Sequence, residues 1–187
     1  SISDAYMIFE VLNAKGEPLS VVDLVKNSLF SKLTDVSPID APLVSWNKIK
    51  NNIEKNEEIE TFYRHYWLSN YNFITRKKLF QDFEQKIPKT KKAYKSFLKS
   101  LEEASEIYKK FLIPSKTDWN TPEKLPIYYS LNAFDIFGVT QVRTILLALF
   151  NSYSLKKVNL KQLKYCLELL ENFHFIFTSI CSSRPSG

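Results

Sequence analysis

Side chains that could hold a metal, act as a nucleophile or grip a phosphate are few in this sequence. The soft metal donors are His65, Cys166, His174 and Cys181. The last three stand eight and seven positions apart on one expected helix. At ~1.5 Å of rise per residue they are spread in ~10 Å steps along its axis. Zinc bonds of ~2.0–2.3 Å cannot gather them, so no metal site is expected. The two cysteines lie ~22 Å apart on that helix, beyond disulfide reach, and read as buried, reduced thiols of a cytoplasmic protein. Nothing near Cys166 would lower its pKa, so it reads as structural rather than nucleophilic. His174, between Phe173 and Phe175, reads as a core-edge histidine. Three glycines, Gly16, Gly138 and Gly187, cannot spell a glycine-rich phosphate loop.

Phosphate-binding chemistry has more material. Arg64 and His65 sit inside FYRHYW, where a cation and an imidazole among aromatic rings can meet a phosphate or a base. The competing reading is the polar face of a packed helix. Arg76, Lys77 and Lys78 form a compact basic cluster in a chain with net charge +6 and pI about 9.1, a balance that permits a nucleic-acid partner without demanding one. Lys89, Lys91, Lys92, Lys95 and Lys99 recur along one helix and read first as its solvated side. Arg143 lies within the most apolar segment, where an unpaired guanidinium is costly, so it must reach Asp135 or a Glu.

The elements that carry these residues are all helical. The chain has 187 residues, 44% of them hydrophobic and 25% charged, enough for an ordinary folded core. Fourteen Phe and ten Tyr suit long helices with bulky contacts, and so few glycines disfavour an all-β fold with its many tight turns. Tyr6 through Leu12 form a short helix after Asp4, stopped at Gly16 and Pro18. Ser20 with Asp23 three residues on resembles a capping box and opens the next helix. TDVSPIDAP, 34–42, is a loop. Helices are expected over 43–55, with Leu43 and Trp46 inward, and over 57–70, 75–87 and 90–112. Thr121-Pro122-Glu123 looks like a cap before a helix over 122–137. Residues 139–153, apolar nearly all round, are expected to form the central buried helix, followed by a long amphipathic one over 159–181. The fold class is therefore all-α, an irregular bundle of about seven to nine helices. Its apolar runs are too short to span a bilayer.

One segment carries a resemblance. FEVLNAKGEPLSVVDLVKN, Phe9 to Asn27, is similar to the pattern F-x-x-L-N-x-x-G-x-x-L-x-x-x-D-L-x-K-N of a large bacterial family of uncharacterised domains. That family includes GmrSD-type, modification-dependent (type IV) restriction enzymes and phosphorothioation-linked defence proteins. FYRHYWLS, 62–69, and FHFIFTSICSSRPSG, 173–187, resemble it more weakly. Such proteins join an N-terminal ParB-like domain carrying an Asp-Gly-Gln-Gln-Arg motif to a helical region, often followed by a His-Asn-His nuclease. Neither signature occurs in this chain.

The resemblance implies a piece of a longer protein: a hairpin over 1–33 ending the ParB-like domain, then a helical domain over 34–187. The start at Ser1 and the ending SSRPSG agree with that reading. It implies phage defence as the setting and flanking nucleotide-binding and nuclease domains as neighbours. The parent would be a nucleotide-dependent endonuclease using a nucleoside triphosphate with Mg; this piece would hold no cofactor and do no catalysis. Asn13, Gly16, Asp23, Lys26 and Asn27 match the family segment. Gly16 and Asp23 have structural reasons to be there, and Asn13 also suits helix termination, which leaves Lys26 and Asn27, with Asn13, as the candidates for nucleotide contact. Arg64, His65, Arg76, Lys77 and Lys78 are the candidates for DNA. The rival expectation is a protein-interaction or homo-oligomerising module.

Overall fold

The structure, a computed structural model, describes residues 20–33 and 41–177. Eight α-helices lie among them: α1 (Val21–Leu33), α2 (Ala41–Ile53), α3 (Ile59–Asn70), α4 (Leu79–Lys86), α5 (Lys91–Leu112), α6 (Leu125–Ile136), α7 (Arg143–Ser154) and α8 (Leu160–Phe175). Short 3-10 turns cover Arg76–Lys78 and Lys116–Trp119. The fold is an all-α irregular bundle, with no strand among the described residues.

Helix starts follow the local chemistry. Ser20 Oγ accepts from the Asp23 backbone N–H at 3.1 Å, and Asp23 Oδ2 accepts from the Ser20 N–H at 3.2 Å, so the reciprocal pair at the start of α1 forms as expected. Thr90 caps α5 through the Ala93 N–H. Asn159 and Gln162 make a full capping box on α8, both bonds 2.9 Å.

The hub of the bundle is α5. It carries buried Tyr94, Phe97, Leu98, Leu101, Tyr108 and Phe111 at spacings of three and four. It packs most extensively on α2 and also meets α1, α3, α6 and α7. Beside it lies a dense aromatic group. Tyr66, Trp67 and Phe83 all contact Phe97, with ring centroids 5.2–6.3 Å apart in tilted or edge-on geometry. Val22, Val25, Leu29 and Leu33 of α1 bury into the same core.

Several expectations are corrected. The segment over 139–153 is not the central buried helix: α7 begins at Arg143 and buries only Leu146, Leu147 and Phe150, while Ile145 faces outward. High mean hydropathy misled here because it says nothing about how many faces of a helix find neighbours. Leu43 is exposed, since α2 turns Trp46, Ile49 and Ile53 toward α5 instead. Pro42, assigned to a loop, lies in the first turn of α2, where its missing N–H costs nothing. The cap at Thr121 is displaced as well. The Thr121 carbonyl accepts from Lys124 and Leu125 in a preceding turn, and α6 starts at Leu125 with Pro126 in its first turn. Residues 75–87 divide into a 3-10 turn and α4. Cys166 is half-buried rather than buried. The helix expected over 4–13, Asn13, Gly16, Pro18 and Cys181 fall outside the described residues.

Candidate nucleic-acid interface

The two halves of the candidate set lie at opposite ends of α5. Near its start, Ser28 of α1 and Tyr94 share a hydrogen bond of 2.8 Å. Near its end, His65 Nδ1 and Tyr108 Oη share another of 2.8 Å. Fourteen residues of helix separate the two tyrosines, a rise of ~21 Å. Lys26 and Asn27, next to Ser28, therefore cannot belong to the same small-ligand site as Arg64 and His65.

Lys26 also acquires a structural role. Its ammonium lies 5.7 Å from the centre of the Phe30 ring, one turn on, and Phe30 meets Trp46 edge-on. The lysine shields a half-buried ring while its head stays in water. Asn27 is exposed and makes no side-chain hydrogen bond among the described residues.

The Tyr108 end is built differently. Arg143, the first residue of α7, pairs with Glu57 from the turn before α3, and both side chains are largely buried. Its guanidinium also lies over the Tyr108 ring, 5.9 Å from the centroid. Glu57, Arg143, Tyr108 and His65 thus form one chain of contacts drawn from four places in the sequence. The expected acid partner exists, but it is Glu57 and not Asp135, which is exposed. Geometry explains the choice: α3 and α7 pack against each other, which brings the turn before α3 to the start of α7.

Electrostatics around His65 follow from this arrangement. Burial disfavours the imidazolium most. Arg143, Arg64 and Arg76 repel it further, and Glu57 only partly offsets them. The His65 pKa is pushed down to about 4, so the ring is neutral at pH 7. Burial pushes the Tyr108 hydroxyl up to about 12, which keeps it a neutral partner for Nδ1. When that hydroxyl donates to Nδ1, the imidazole proton sits on Nε2, which has no hydrogen-bond partner among the described residues. Arg64 is half-buried, and its Nε–H is buried without a partner.

Arg76, Lys77 and Lys78 occupy the exposed 3-10 turn after α3, and none forms an ion pair among the described residues. Of the lysines along that side, Lys89, just before α5, pairs with Glu84 at 2.6 Å and Lys99 lies 3.7 Å from Glu103, while Lys92 and Lys95 are exposed. The structure thus brings Arg64, His65 and Arg76 into one electrostatic neighbourhood and adds Arg143, Tyr108 and Glu57. In sequence Tyr108 is simply one of the apolar stripe positions of α5, and Glu57 carries no local sign of a role. Its position just before the start of a helix carries no mark of a long-range partner.

His174 stands apart, edge-on to Phe134 at 6.1 Å, with its pKa lowered by burial, as a core-edge histidine should be. Among the described residues no group of three His, Cys, Asp or Glu is placed to hold a metal, and no helix is long and apolar enough to cross a membrane. Compared with protein-family models, curated proteins and solved structures, the chain has no significant match.

Proposed function

We propose that this chain is the helical region of a GmrSD-like, DNA-directed restriction or defence protein, and that it contributes duplex-contact surface or relays between flanking domains rather than catalysing. The observation that carries the DNA-surface reading is the unpaired, exposed turn Arg76–Lys77–Lys78 beside Arg64 and His65. Cations already engaged by acids must break those pairs to reach a phosphate, whereas these three are free to release counterions from a duplex. The test is fluorescence anisotropy with a labelled duplex. Binding should weaken as salt rises, and replacing the three residues by Gln should lower the salt slope by roughly 2 to 3, about 0.9 per lost phosphate contact. A wild-type chain that ignores duplex DNA at low salt sinks the DNA-surface reading.

A second reading, a protein-interaction or oligomerisation module, draws on the outer side of α8. There Tyr165, Leu169, Phe173 and Ile176 form an exposed apolar stripe at spacings of four, four and three. Soluble surfaces seldom leave such a stripe uncovered. Concentration-dependent dimerisation in light scattering, abolished by Leu169→Glu, would favour that reading, provided the chain also ignores DNA.

A further inference from the structure

A cleft of about 450 Å³ lies between α3, α5 and α7, a size typical of small-molecule sites. In a chain of net charge +6, no lysine, arginine or histidine lines it, whereas Glu103 and Glu106 of α5 do. Buried Leu147 and half-buried Ala104 and Ile107 give it an apolar floor.

The hydrogen bonds around the cleft run in a defined sense. The Tyr66 backbone carbonyl, which can only accept, takes Asn70 Nδ2 at 2.9 Å and Ser69 Oγ at 2.8 Å. That fixes the Asn70 amide, whose second hydrogen goes to Ser69 Oγ at 3.1 Å. Its oxygen then accepts from Asn151 Nδ2 at 3.2 Å, which leaves the Asn151 oxygen as a spare acceptor. The Tyr66 hydroxyl donates to Ser100 Oγ at 3.0 Å. Most donors are thus spent within the wall. Glu106 is engaged by Lys48. Glu103 is freer: it lies 3.7 Å from Lys99, and their side chains are 63% and 77% exposed. Such a surface pair holds its partners weakly. The open groups are therefore chiefly acceptors, one of them a carboxylate.

An alkylammonium group has three donors and no acceptor, the complement of that set. A phosphate is the reverse, and Glu103 repels it. Ser100 and Glu103, three positions apart on α5, are neighbours on the helix surface. We infer that the cleft binds a primary ammonium on an aliphatic stem. The head sits on Ser100, Glu103 and Asn151, and the methylenes lie along Ala104, Ile107 and Leu147. This goes beyond the duplex reading and is independent of it, because the cleft uses no residue of the candidate DNA surface.

The test is a titration of the ¹⁵N-labelled full chain, read at the side-chain amides of Asn70 and Asn151. n-Butylammonium should shift both signals saturably. n-Butanol, with the same stem and no charge, should bind at least about tenfold more weakly, and butyrate should shift neither. Glu103→Gln, at an exposed position, should lower butylammonium affinity about tenfold. Glu168→Gln, exposed on α8, should leave it unchanged. No saturable shift, equal binding of the alcohol, or equal losses in the two variants overturns the site. Two further probes distinguish the sources of the group. Tighter binding of 1,4-diaminobutane supports a free polyamine, and tighter binding of Nα-acetyl-lysine methylamide supports a protein side chain. Failure of both to bind overturns the proposal while leaving the duplex reading standing.

Discussion

The two ends of α5 use the same device, a buried tyrosine hydroxyl bonded to a neighbouring helix, with opposite consequences. At Tyr94 the partner is Ser28, and the nearby Lys26 is turned onto an aromatic ring. Ser28, Tyr94 and Lys26 each have an ordinary structural task there. At Tyr108 the partner is a histidine held neutral among cations, one guanidinium is tied to Glu57, and another keeps a buried donor unpartnered. The difference teaches where to look for function: a hydrogen bond marks nothing by itself, but one whose surroundings remain electrostatically unbalanced does.

That comparison can be broken in stages. The largest effect should come from the core the two ends share. Trp67 is fully buried, stacks on Tyr71 at 4.2 Å and donates to Asp82 at 2.8 Å. Trp67→Ala should cost about 3–5 kcal/mol in urea unfolding. If it costs under about 1 kcal/mol, the two ends are not joined by one core.

Next comes pH. The folded His65 pKa is about 4, below the ordinary 6.5, so between those values the unfolded chain binds the extra proton. Stability from this group should be fully present above pH 6.5 and lost as pH falls toward 4. The loss should reach roughly 2 kcal/mol after allowing for partial solvent access. His65→Gln should remove that slope. An unchanged slope would place the acid sensitivity elsewhere and weaken the contrast between the ends.

The smallest effects sharpen it. Tyr108→Phe should cost about 1–2 kcal/mol, because it strips a partly buried imidazole nitrogen of its partner. Tyr94→Phe should cost about 0.5–1 kcal/mol, because the hydroxyl of half-buried Ser28 can turn toward solvent for a replacement partner. Thermal or urea midpoints of the two variants decide the order, and a reversed order would mean that the Tyr108 end is the better solvated of the two.

Much of the fold was legible in the sequence because helix periodicity and caps are local. The α5 stripe, the Ser20–Asp23 box and the start of α8 at Asn159 all follow from residues three or four apart. The centre of the bundle was not legible. The apolar run at 144–150 is more hydrophobic than α5, yet α5 is central because more helices find a face on it. At the site, Arg64, His65 and Arg143 declared themselves by type and setting. Glu57 could not, since its pairing depends on two helices meeting 86 positions apart in the chain. Lys26 drew notice through a sequence match, and the ring beneath it gives it a structural task.

The hub position of α5 also bears on how the protein opens. Five other helices rest on this one 22-residue rod, so fluctuations that fray α8 or the Arg76 turn need not disturb it. Exposing the amides near Leu101 to solvent requires most of those contacts to go at once. Their exchange with deuterium should therefore report the whole molecule's unfolding, while the Arg76–Lys78 turn exchanges through small local openings. A partner bound at that turn would then slow exchange there long before it altered the exchange of the rod.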